Sequence, residues 1–101
     1  MSPARESGCV TPAIEHRPGR FVLRVDGEEA ELVYERRGDV LDITHTYTPL
    51  ALRGREIAAR LTEAAFAFAR EHGLRVVPTC SYTALWVERH PEAQDLVRGG
   101  R

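Results

Sequence analysis

Leu52-Arg53-Gly54-Arg55-Glu56-Ile57-Ala58 is the junction on which the fold turns. Before it, Val40 to Tyr47 alternates with a period of two, with Leu41, Ile43, His45 and Tyr47 on one face and Asp42, Thr44 and Thr46 on the other. That pattern predicts a half-buried strand, ended by Pro49. After the junction, Ile57, Leu61, Ala64 or Ala65, and Phe68 recur at helical spacing, while Arg60, Glu63 and Arg70 fall elsewhere around the axis. The expected helix runs from Gly54 to His72, about five turns, with Gly73 just beyond its C-terminus.

Outward from the junction, Phe21–Val25 and Ala30–Tyr34 read as two strands joined by an Asp26-Gly27 turn. Arg37-Gly38-Asp39 turns the chain into the strand at Val40, completing an antiparallel meander. Ile14–His16 reads as a further short strand, followed by a turn at Pro18-Gly19. On the C-terminal side, Leu74–Thr79 reads as a short strand. A helix from Tyr82 to His90 follows, with Ser81 as its expected cap. Pro91 then opens a last helical turn through Leu96-Val97.

The main order is β-β-β-α-β-α, an α/β (α+β) chain with a mixed, mostly antiparallel sheet. A right-handed crossover should set Val40–Tyr47 and Arg75–Thr79 side by side in parallel. Ligand sites in such sheets gather at the carboxyl ends of the parallel strands, here Tyr47-Thr48-Pro49 and Thr79-Cys80-Ser81. Residues 1–12, with two prolines and a glycine, read as a flexible tail, and residues 13–98 as one domain.

The chain has 101 residues, 43% of them apolar, enough for one modest core. Fourteen basic side chains, all arginine, face 15 acidic ones, for a net charge of −1. That balance gives no electrostatic case for nucleic acid or an anionic membrane surface. With no apolar run long enough to cross a bilayer and no signal-peptide pattern at Met1–Gly8, a cytoplasmic location is expected. Cys9 and Cys80 form neither a zinc motif nor an expected disulfide in a reducing compartment. Oligomeric state is not legible.

Unpaired N–H groups at a helix start attract anions, and the helix dipole reinforces them. Arg53, Gly54 and Arg55 at that position suggest a phosphate-bearing ligand, or else two solvated arginines flanking a turn glycine. Glu56 opposes the first reading. At ~6 Å and an effective dielectric near ~20, a carboxylate facing one phosphate charge costs roughly 3 kcal/mol, about a hundredfold in affinity. In its simpler reading Glu56 only complements the helix dipole.

Cys80 lies between a strand and a helix N-terminus, where a thiolate is stabilised. It is read as a nucleophile, an acyl carrier, a pocket wall or a buried inert thiol. His45, placed among inward residues, is read as a base near an amine or as a hydrogen-bonded core histidine. Trp86 is core or pocket wall, and His72 and His90 are partners for helix C-termini.

His45-Thr46, Pro49, Arg53-Gly54-Arg55, Ile57-Ala58 with Leu61, Val77-Pro78-Thr79-Cys80-Ser81-Tyr82, Arg89-His90-Pro91 and Asp95-Leu96-Val97 together resemble the smallest single-domain branch of the GNAT superfamily of acyl-CoA-dependent N-acetyltransferases. The resemblance covers residues 14–97. It implies acetyl-CoA as co-substrate, an amine acceptor, direct attack on the thioester and no metal. It also implies coenzyme contacts along Tyr47, Thr48, Arg53, Gly54, Arg55, Glu56, Ile57 and Ala58. Tyr82 stands where superfamily members often protonate the leaving thiolate, or it is an ordinary amphipathic tyrosine. The family signature puts arginine at Arg53 and alanine at Ala58, but glycine where this chain has Glu56. The branch commonly has an acid where Tyr47 stands. These two departures support a second reading, a non-catalytic acyl-CoA- or protein-binding module. A third is a thiol protein working through Cys80.

Overall fold

The computed structural model describes residues 14–54 and 56–97. The expected tail over residues 1–12, Cys9 and Arg55 lie outside the described residues. The elements run β1 (Ile14–Arg17), β2 (Arg20–Val25), β3 (Glu28–Arg37), β4 (Val40–Tyr47), α1 (Ile57–Glu71), β5 (Arg75–Pro78) and α2 (Ser81–Glu88), with 3-10 turns at Leu50–Leu52 and Pro91–Leu96. They build one five-stranded sheet in chain order, antiparallel except for the parallel pair β4–β5. Asp26 and Gly27 both take positive φ, as a two-residue hairpin of the primed type requires.

The period-two residues Phe21, Leu23, Ala30, Leu32, Leu41 and Ile43 all face one side of the sheet. There they meet the apolar stripe of α1, made by Ile57, Leu61, Ala65, Phe66 and Ala69. The opposite face carries partly exposed ion pairs such as Arg20–Glu31, which contribute little each. Among the described residues, no helix is long and apolar enough to cross a membrane.

Two expectations are corrected. The first concerns α1, which begins at Ile57, not Gly54. Pro49 leads into a 3-10 turn, and Gly54 (φ 85°) and Glu56 (φ 60°) then both adopt left-handed backbone, so no helix can run through them. The second concerns β4. Tyr34 pairs with Ile43 but Val33 pairs with His45, leaving Thr44 as one extra residue, a β-bulge. Past it the faces exchange. His45 and Tyr47 turn outward and are exposed, and Thr46 turns inward. The Thr44 hydroxyl donates to the Val33 carbonyl oxygen at 3.4 Å, securing the irregularity.

Candidate functional site

The loop from β4 to α1 builds the mouth of the long helix. The first helical bond runs from the Arg60 N–H to the Glu56 carbonyl at 3.1 Å, and the Glu56 side chain forms no cap. The N–H groups of Ile57, Ala58 and Ala59 therefore have no partner within the helix. Arg53 Nε donates to the Thr48 carbonyl at 3.1 Å, tying its guanidinium beside them. A pocket of about 290 Å³ opens there, lined by Thr46, Tyr47, Thr48, Arg53, Ala58 and Tyr82.

Of the coenzyme candidates, Tyr47, Thr48, Arg53 and Ala58 thus converge. Gly54 shapes the turn between them, and Ile57 is buried in the core, so only its backbone is available. Glu56 instead lines a neighbouring cleft. Its φ of 60° lies in left-handed backbone, which glycine adopts without the strain a Cβ brings.

Strands β4 and β5 pair as far as Ile43–Pro78 and then part. The Cys80 N–H donates to the Ile43 carbonyl at 2.9 Å, the last link across the gap. Cys80, not Ser81, occupies the N-cap position of α2. Its Sγ lies 3.5 Å from Thr46 Oγ1, brought inward by the bulge. Burial pushes the thiol pKa up, but hydrogen bonding with Thr46 and with the Thr83 and Tyr82 N–H groups outweighs it, so the pKa is lowered. The nearby Thr83 hydroxyl is buried and lacks a hydrogen-bond partner of ordinary geometry. His45 faces away and does not join Cys80 and Tyr82.

On the other side of the parting strands, buried Asp42 accepts hydrogen bonds from Thr79 Oγ1 at 2.5 Å and from Arg37 at 3.0 Å. This pins the residue just before Cys80. Sequence reading missed Asp42, Thr46 and Thr83; a bulge marker near Thr44 would have exposed Thr46.

A second cleft, about 310 Å³, lies between α1 and α2. Glu56, Ala59 and Glu63 form its α1 wall, and Tyr82, Leu85, Trp86, Arg89 and His90 its α2 wall. Tyr82 is half-buried and borders both cavities. Burial first, then the carboxylates of Glu56 and Glu63, raise its pKa. Among the described residues, no group of three His, Cys, Asp or Glu side chains could hold a metal ion.

Residues 20–96 match a family model described as GCN5-related N-acetyl-transferase. Protein NATD1 of Bos taurus is 40% identical over 100 residues, covering 94% of this chain and 88% of its own. Protein NATD1 of Danio rerio is 40% identical over 90 residues, covering 84% and 82%. The solution structure of a GCN5-like protein from Staphylococcus aureus superposes with a TM-score of 0.69 at 24% identity, over 90% of this chain and 92% of that one.

Proposed function

Because the chain belongs to the GCN5-related N-acetyltransferase family, we propose that it moves an acetyl group from acetyl-CoA to an amine by direct attack on the thioester. One observation carries this reading: the pocket at the uncapped start of α1, beside the point where β4 and β5 part. Its donor set suits a diphosphate. The N–H groups of Ile57 and Ala58 and the Arg53 guanidinium would hold it, aided by the helix dipole. The carboxylate of Glu56, which the sequence sets against a diphosphate, lines the adjacent cleft instead.

The pantetheine arm would lie in the gap past Ile43 and Pro78, where β4 amides would polarise the thioester carbonyl. As the amine nitrogen forms its bond to that carbon, the carbon–sulfur bond breaks. Tyr82 supplies the proton to the departing sulfur, and the proton lost by the amine restores it. A raised pKa keeps this phenol protonated at neutral pH. His45, exposed on the far face, takes no part.

Calorimetric titration with acetyl-CoA tests the reading. Saturable heat is expected, with Arg53→Ala binding about tenfold more weakly, the worth of one charged hydrogen bond. No heat up to millimolar ligand would remove the assignment, and binding without turnover on any amine would favour the non-catalytic module.

The lowered pKa of Cys80 supports a second reading, transfer through an acyl-enzyme. Its thiolate would attack the thioester, releasing CoA thiolate, and the amine would then displace Cys80. Intact mass after incubation with acetyl-CoA would show one added acetyl group, absent in Cys80→Ala. Unchanged turnover in that variant excludes this route.

A further inference from the structure

We propose that Cys80 is a reversible oxidation site capped by the coenzyme itself: a hydroperoxide converts its thiol to a sulfenic acid, and bound CoA condenses with that acid to a Cys80–CoA disulfide. This rests on the coenzyme pocket assigned above, but not on transfer to an amine.

Position is the first argument. Cys80 Sγ lies 3.5 Å from Thr46 Oγ1, and both Thr46 and its neighbour in sequence to Cys80, Tyr82, line the pocket at the start of α1. The Cys80 N–H also makes the last link across the parting of β4 and β5. A coenzyme whose diphosphate sits at the start of α1 and whose pantetheine arm enters that parting would bring its thiol to this sulfur. The sulfur is also prepared to react. It stands at the N-cap of α2, where the helix dipole favours a thiolate. Burial raises its pKa, but hydrogen bonding with Thr46 and the α2 N–H groups outweighs it. The side chain is only partly buried, so a small peroxide can reach it.

Thr83 supplies the independent sign. Its residue is fully buried, and its hydroxyl lies beside Cys80 without a hydrogen-bond partner of ordinary geometry. A buried donor left unpaired is costly, and an oxygen carried on Sγ would accept from it.

The steps balance. The Cys80 thiolate attacks one peroxide oxygen, the O–O bond breaks, and the other oxygen leaves as an alcohol or water once protonated. Sulfur is oxidised and the peroxide reduced. The CoA sulfur then attacks Cys80 sulfur; the S–S bond forms, the S–O bond breaks, and the hydroxyl departs as water with the thiol proton. Capture at this stage forestalls irreversible sulfinic acid. The disulfide fills the coenzyme pocket, so acetyl-CoA is excluded until a thiol reduces the bond.

The test is intact mass after equimolar hydrogen peroxide and CoA. We expect a gain of one CoA less two hydrogens, reversed by dithiothreitol. It should persist in Cys9→Ser and vanish in Cys80→Ser, whose serine is itself a good N-cap. Pantetheine has the same thiol arm without the diphosphate. At equal, subsaturating concentration it should add at least about tenfold more slowly than CoA, the worth of one charged hydrogen bond. Arg53→Ala, an exposed position, should slow CoA by a similar factor and leave pantetheine unchanged. Calorimetric heat from acetyl-CoA should disappear in the adduct and return on reduction. No adduct, an adduct that survives Cys80→Ser, or pantetheine adding as fast as CoA overturns the proposal. A loss of two hydrogens, meaning a Cys9–Cys80 disulfide, overturns it as well. If acetyl-CoA binds but no adduct forms, the coenzyme site stands and the oxidation site falls. If the adduct forms but no amine is acetylated, transfer falls and the oxidation site stands.

Discussion

The two ends of α1 are finished in opposite ways. At the C-terminal end, Gly73 takes φ 68°, the Leu74 N–H returns to the Ala69 carbonyl at 2.8 Å, and the Gly73 N–H returns to Arg70. His72 Nδ1 meets the Phe68 carbonyl at 3.0 Å, and Arg70 grips Asp95 with two bonds of 3.1 Å. Nearly every carbonyl there has a partner, and aromatic rings from β1, β2 and β3 pack beside it. At the N-terminal end, two left-handed residues break the chain, no side chain caps the first turn, and two cavities open on either side of Tyr82. One end closes its hydrogen bonds internally and anchors the fold. The other leaves its donors open, and those donors are what a ligand can use.

Leu61 joins the two ends. It is fully buried at the centre of the α1–sheet contact. Leu61→Ala should lower stability by about 2–5 kcal/mol, measured by urea denaturation, a large share of what a domain of this size has. A loss under ~1 kcal/mol would mean that α1 is not the element holding the sheet. Gly73→Ala should act on the closed end alone, because alanine must enter left-handed backbone. We expect a stability loss of about 1 kcal/mol and unchanged acetyl-CoA affinity. Altered affinity would couple the two ends and break the division between them.

Glu56→Gly probes the open end. It removes the strain of a left-handed glutamate, so stability should rise by about 0.5 kcal/mol, part of the gain being offset by the glycine's greater freedom in the unfolded chain. Because the carboxylate lines the α1–α2 cleft, acetyl-CoA affinity should change less than about threefold. A gain near a hundredfold, the size set by simple Coulomb repulsion, would put that carboxylate against the diphosphate after all.

The closed end was the more legible in sequence. Gly73 and the spacing of Ile57, Leu61 and Phe68 announce a helix and its stop, and Asp26-Gly27 announces its hairpin. The open end was not, for physical reasons. Leu41, Ile43, His45 and Tyr47 form a flawless period of two, yet the bulge at Thr44 reverses the last pair, and one extra residue leaves no trace in an alternation. That slip placed His45 inside and left Thr46 unnoticed beside Cys80. The left-handed turn at Glu56 was equally hidden, since local preference assigns it to glycine. The α1–α2 cleft joins residues 19 to 34 positions apart, which no local pattern brings together.

The smallest expected effect concerns the closed end and its pH dependence. His16 stacks on Phe21 at 4.1 Å, meets the edge of Phe68 at 4.6 Å and shares a 2.5 Å hydrogen bond with the Tyr34 hydroxyl. Burial, and then the charge of nearby His72, lower its pKa below the ordinary value. The native protein therefore binds fewer protons than the unfolded chain in this range, and stability rises with pH. The contribution of His16 is fully present above its unfolded pKa, about 6.5, and is lost as pH falls through the lower native value. The lowered carboxyl groups of Glu15 and Asp95 act in the same direction, but only in the more acidic carboxylate range, so the interval from about pH 5.5 to 7 isolates the imidazole. The melting temperature should fall modestly as pH drops across that interval, and His16→Phe, which keeps a ring on Phe21 without a titrating group, should flatten the slope. An unchanged slope would assign the pH dependence elsewhere, and the aromatic cluster would then hold β1 by packing alone.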